Sequence, residues 1–210
     1  MKYDTFYETD GHTEQEYERS HGPRLDFLVE DLKLNELHGK LVVDIGCGPG
    51  FIYKRLSPEI QTNYVGVDGA DIKDTPFTYV KADLDTDFAA VEQMFDVALC
   101  FETLEHLTNP YQCLCSIKKL LKPDGVLYLT IPHEWTNHNT IYPGLMYPVE
   151  NFVEFLQQMA FEIKGHALHD KSFYQEVFTL VNKPWSNSKM KWHRQEDKFR
   201  NIPPHVSVNL

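Results

Sequence analysis

Residues 41–50 read LVVDIGCGPG, and no other stretch of the chain restricts the fold as strongly. Three apolar residues lead into Asp44, the pattern of a short strand buried on both faces of a parallel sheet. Gly46, Gly48 and Gly50 follow at once. Glycines in that place allow a tight turn and let the backbone lie against a ligand where a Cβ would collide. A strand, a glycine turn and a helix form the ligand crevice of an open α/β sheet. The spacing is G-x-G-x-G and not the G-x-G-x-x-G of dinucleotide sites.

Four further segments fall where such a sheet needs strands. YVGVD (64–68) ends in an acid, and a carboxylate at that position can accept hydrogen bonds from both hydroxyls of a ribose. FTYVKAD (77–83) also ends in an acid, and FDVALCF (95–101) is followed by Glu102. LKPDG (121–125) reads as a helix end and turn before the strand VLYLTIP (126–132). Residues 111–121 set Leu114, Ile117, Leu120 and Leu121 on one helical face. This alternation predicts βαβ units and a parallel sheet. Upstream, residues 14–37 read as helical stretches interrupted at Gly22-Pro23, with Leu25, Leu28, Val29 and Leu32 forming a face. Downstream, 148–159 reads as a helix and 161–168 and 173–181 as strands.

With these segments in order, the chain resembles the class I S-adenosylmethionine-dependent methyltransferases. The motifs that carry the resemblance are VDIGCGPG, YVGVD, VKADL, FDVALCFETLEHL and LKPDGVLYLTIP, across residues 41–132. The resemblance implies a single α/β domain with a Rossmann-like, doubly wound, seven-stranded sheet, mostly parallel with an antiparallel last strand. It implies that Asp44, Gly46, Cys47, Gly48 and Gly50 meet the methionine moiety of S-adenosylmethionine. Asp68 and Gly69 would hold the ribose, Asp83 and Leu84 the adenine, and Phe101 and Glu102 the other side of the cofactor. The product would be S-adenosylhomocysteine. A sulfonium cation without phosphate suits acidic strand ends. A helical segment over residues 1–40 would cover this site, with Tyr7, Tyr17, His21 and Arg24 able to approach it. The cofactor core would span 41–182, and a basic arm 183–210.

A chain of 210 residues can bury one α/β core. The N-terminus carries Asp4, Glu8 and Asp10 without an apolar run, so neither a secretory signal nor a membrane span is expected and the protein reads as cytoplasmic. Cys47, Cys100, Cys113 and Cys115 lack zinc spacing and read as reduced thiols. A net charge of −11 disfavours nucleic acid as a partner. The tail departs from this, with six Lys or Arg and two acids after residue 182, interleaved with Trp185, Trp192 and Phe199. Such a pattern can bind single strands. Charge complementarity favours its packing on the acidic body, or on the second subunit of a homodimer.

The methyl acceptor is expected above the strand ends, beside the loop 133–147, which is long and rich in His and aromatic residues. His133 directly follows the strand and can take a proton from a hydroxyl or amine near neutral pH. Glu102, Glu105 and His106 would share one face if their segment were helical. That stretch looks like the metal-binding segment of small-RNA 2′-O-methyltransferases and the matching stretch of ubiquinone-pathway O-methyltransferases, although packing and cofactor contact remain the default reading, with no metal ligand assigned. The expectation is therefore a methyltransferase acting on an O or N of a small-molecule acceptor. Its alternatives are a metal-assisted catechol-type or RNA 2′-O enzyme and a non-catalytic S-adenosylmethionine-binding interaction protein.

Overall fold

A computed structural model describes residues 14–88, 93–133, 148–169 and 175–184. Its strands are β1 (Val42–Ile45), β2 (Tyr64–Asp68), β3 (Thr78–Lys81), β4 (Phe95–Cys100), β5 (Leu121–Pro132), β6 (Phe161–His169) and β7 (Gln175–Asn182). They form one sheet of order β3-β2-β1-β4-β5-β7-β6. The first five strands are parallel, and β7 runs antiparallel to both β5 and β6. The doubly wound sheet with an antiparallel last strand is thus present. The chain winds outward from β1 to β3, then returns to lay β4 on the other side of β1. This reversal makes a switch point at the carboxyl ends of β1 and β4, where open α/β sheets bind ligands.

Both faces of the sheet are covered, which explains the near-continuous apolar strands. On one face Val43, Ile45, Ala98, Leu127 and Leu129 pack with Leu114 and Ile117 of α3 (Pro110–Leu120) and Phe152 and Leu156 of α4 (Val149–Gln158). On the other, Val42, Val97 and Leu99 meet Leu25, Leu28 and Val29 of α1 (Glu14–Asp31) and Ile60 of the one-turn α2 (Pro58–Gln61). Among the described residues no helix is long and apolar enough to cross a membrane. All four cysteines are free thiols, three of them buried.

Two elements differ from the sequence expectation. The break at Gly22-Pro23 does not occur, and α1 continues through both residues. Keeping helical phase holds Leu25, Leu28 and Val29 on the sheet. The missing side chain of Gly22 leaves room for the Glu18–Arg55 ion pair, since an added Cβ would lie 2.9 Å from the Glu18 carboxylate and 3.0 Å from the Arg55 guanidinium. The turn expected before the fifth strand instead lies inside it. Leu121 already pairs with Phe95, and the KPDG residues form a bulge before Val126 pairs with Val97, with Asp124 at φ 62°.

Candidate active site

The switch-point crevice is built from glycines pressed against their neighbours. Gly46 adopts φ 76°, and a Cβ there would lie 2.2 Å from Thr103 Oγ1. Thr103 bonds back to the carbonyls of Ile45 (3.2 Å) and Phe101 (2.9 Å), so it ties the end of β1 to the end of β4. A Cβ on Gly66 of β2 would meet Phe77 at 2.5 Å and Cys47 Sγ at 2.6 Å. Cys47 therefore points into the protein, where burial and the charges of Asp44 and Asp68 push its thiol well above the ordinary range. That environment suits packing and opposes nucleophilic chemistry.

The acids sit at the strand ends. Asp68 accepts the Gly48 amide on Oδ2 and the Ala70 amide on Oδ1, both at 2.9 Å. Burial raises its pKa, and the amides of Ala70, Gly48 and Gly69 act against that rise. Asp44 is buried and accepts the Tyr64 hydroxyl at 2.5 Å. Burial pushes its carboxyl up to about 7, partly offset by that hydrogen bond. Asp83 is exposed and accepts the Asp85 amide at 3.0 Å, as a turn residue does, while the Leu84 side chain is in the core.

Glu102 gathers three elements around the end of β4. It has φ 51°, and its amide donates to Thr130 Oγ1 at 3.0 Å. Its carboxylate pairs with Arg24 of α1 at 2.9 Å and accepts from Thr130 (3.1 Å) and from Gln175 Nε2 at the start of β7. The oxygen of the Gln175 amide is buried with no hydrogen-bond partner. Tyr17 lies beside this group, stacked on Phe51 at 4.3 Å and on His21 at 4.2 Å. Burial, then the Glu102 charge, push its phenol up. Phe101 packs in the core face that α1 covers.

The shared helical face for Glu102, Glu105 and His106 does not form. Residues Leu104–His106 make a single 3-10 turn, with left-handed Glu102 outside it. Glu105 is fully buried, and burial plus the Glu102 charge hold its carboxyl well above the usual range. Among the described residues no three His, Cys, Asp or Glu side chains are placed to hold a metal ion. His133 directly follows β5 and contacts Glu176 Oε1 at 2.5 Å, while His166 of β6 contacts Glu176 Oε2 at 2.7 Å. Tyr7, residues 134–147 of the expected acceptor loop, and the arm with Trp185, Trp192 and Phe199 lie outside the described residues.

Sequence reasoning missed Thr103, Thr130, Gln175, Glu176 and His166. The role of Thr103 depends on β4 lying beside β1, and those of Gln175, Glu176 and His166 on β7, which enters between β5 and β6 and sets Pro132 against Gln175 and Leu168 against Glu176.

Known proteins share the family and the fold. A family described as a methyltransferase domain matches residues 17–193. A ubiquinone biosynthesis O-methyltransferase of Actinobacillus pleuropneumoniae serotype 7 (strain AP76) is 33% identical over 123 residues, covering 51% of this chain and 51% of that protein. One of the same name from Proteus mirabilis (strain HI4320) is 29% identical over 204 residues, covering 89% and 77%. The chain spans about half the length of the first of these relatives. The magnesium protoporphyrin IX methyltransferase of Synechocystis PCC 6803, solved with bound S-adenosylmethionine, shares the fold at a TM-score of 0.60 and 16% identity, over 86% of this chain and 95% of that one.

Proposed function

Because the chain belongs to the methyltransferase-domain family, we propose that it moves a methyl group from S-adenosylmethionine to a hydroxyl of a small molecule. The observation that carries the reading is Asp68. An ionised carboxylate offers about four acceptor positions, and backbone amides fill one on each oxygen. With the Gly69 amide also directed at this carboxylate, the capacity left over matches a ribose hydroxyl. The orphaned Gln175 oxygen beside Glu102 is a second fit, since a buried acceptor without a partner is what an ammonium group would satisfy.

In this reading Asp44, Gly46, Cys47, Gly48 and Gly50 take the methionine moiety, Asp68 and Gly69 the ribose, and Asp83 with the Leu84 backbone the adenine. Phe101 and Glu102 line the opposite wall. Residues 41–182 form the cofactor core, and α1 covers it and brings Arg24 to Glu102, where its guanidinium can turn to a carboxylate. When bound, the cofactor supplies an electrophilic methyl on its sulfonium. The chain's residues supply alignment, which can account for much of the rate. His133 takes the proton that the hydroxyl gives up. The choice of a small-molecule hydroxyl follows the relatives, which are O-methyltransferases of ubiquinone biosynthesis.

The test is transfer of labelled methyl from S-adenosylmethionine to a panel of small phenols, alcohols and amines. Label in a hydroxyl compound, lost with Asp68→Ala, is the expected result. Label in amines alone would overturn the oxygen assignment, and a panel without turnover despite tight cofactor binding would favour a binding protein.

A further inference from the structure

Among the described residues, His133, Glu176 and His166 form a cluster of titratable side chains near the strand ends that the cofactor reading does not use. Glu176 is 3% exposed. Each of its oxygens meets one imidazole, His133 Nδ1 at 2.5 Å and His166 Nε2 at 2.7 Å. Both imidazoles are about a third exposed, at 32% and 31%, against 4% for the carboxylate side chain. The register explains how three strands make one cluster. β7 is the middle strand, with Glu176 opposite Ile131 on β5 and Leu168 on β6. His133 and His166 each lie two residues from those partners, on the same face, as diagonal neighbours within reach of long side chains. His166 is also fixed by stacking flat on Phe178, with ring centres 4.3 Å apart and planes 3° apart.

A buried carboxylate that meets an imidazole nitrogen needs a proton on that nitrogen. The Nδ1 of His133 then carries the proton in the neutral ring, and its Nε2 is the basic nitrogen. This is the tautomer that a general base at the end of β5 requires, and a carboxylate behind an imidazole is a known way to enforce it.

We propose that Glu176 is a positioning residue of the transfer site: it holds His133 with Nε2 turned to the acceptor, while His166 holds the second carboxylate oxygen. The inference rests on the assignment of His133 as base. Methyl transfer to a hydroxyl forms the oxygen–carbon bond, breaks the carbon–sulfur bond with its electron pair going to sulfur, and releases one proton. His133 Nε2 takes that proton, and the Glu176 carboxylate faces the resulting imidazolium without itself being protonated.

Two measurements on the full chain test this. In long-range proton–nitrogen spectra of histidine-labelled protein, recorded well above the ordinary imidazole range and assigned with His133→Gln and His166→Gln, His133 should be the Nδ1–H tautomer. Glu176→Gln should abolish that preference, and Glu176→Asp should keep part of it. An Nε2–H tautomer in the unaltered protein, or no change in Glu176→Gln, would overturn the proposal. With the first hydroxyl acceptor found and saturating S-adenosylmethionine, Glu176→Gln should lower kcat by roughly 10–100-fold, with cofactor affinity unchanged and partial recovery in Glu176→Asp. If His133→Ala slows turnover but Glu176→Gln does not, the base stands and the positioning role falls. If His133→Ala turns over like the unaltered protein, the base assignment falls and takes this role with it.

Discussion

A carboxyl group enclosed as Asp44 is can be neutralised by a proton or by a facing cation. Burial raises its folded pKa to about 7, above the ordinary 3.8. A raised pKa favours the protonated carboxyl in the fold. That contribution is complete below about pH 3.8 and is lost as the pH climbs through about 7. Asp44→Asn keeps an acceptor for the Tyr64 hydroxyl without the buried charge. At pH 8 it should therefore raise stability, by roughly 2–4 kcal/mol, while weakening S-adenosylmethionine. Chemical denaturation and calorimetric titration check the two halves. In the unaltered protein the cationic cofactor should bind more tightly as pH rises through about 7, with proton release at pH 6 that disappears at pH 8.5. Affinity independent of pH would count against Asp44 facing the cofactor. Gly46→Ala places a Cβ against Thr103 in a left-handed backbone. It should cost roughly 1–3 kcal/mol and lose cofactor binding, read by thermal melts with and without S-adenosylhomocysteine.

The elements are locked together at the edge away from the crevice. Lys118 near the end of α3 donates to Asn182 Oδ1 at 2.6 Å and to the Lys183 carbonyl at 2.7 Å. Asn182 Nδ2 returns bonds to the carbonyls of Lys118, Leu121 and Lys122. One amide on β7 thus satisfies a helix end, the bulge of β5 and a buried ammonium. Asn182→Ala removes all these bonds, leaving Lys118 the carbonyls of Lys183 and Ala160, and should destabilise the fold by roughly 2–4 kcal/mol in urea denaturation, whereas an exposed change such as Lys119→Ala should cost far less. This explains why some elements were legible in the sequence and others were not. The strands with apolar runs between acids, and the Leu114–Ile117 face of α3, declare themselves by periodicity. The continuity of α1 through Pro23 and the absorption of KPDG into β5 do not, because partners far along the chain, Arg55 for the first and Phe95 and Asn182 for the second, decide them.

At the scale of the whole molecule, the order β3-β2-β1-β4-β5-β7-β6 puts the ends of β1 and β4 side by side, which brings Asp44 and Gly46 near Phe101 and Glu102 although they are far apart in sequence. The residues proposed to hold the cofactor were legible because they sit at or directly after the ends of strand motifs. Arg24, expected near the site, pairs with Glu102, whereas Thr130 and Gln175 beside Glu102, and Glu176 between His133 and His166, were hidden, because they meet only when β7 enters antiparallel between β5 and β6. The central claim is that this crevice is a cofactor site with Asp68 on the ribose. Calorimetric titration of S-adenosylhomocysteine into the full chain and into folded Asp68→Ala tests it most directly. The account predicts one site in the unaltered protein, weakened in the variant by roughly 1–3 kcal/mol, and no heat from a nicotinamide dinucleotide. Equal affinity in the two proteins, or binding of the dinucleotide instead, would contradict it.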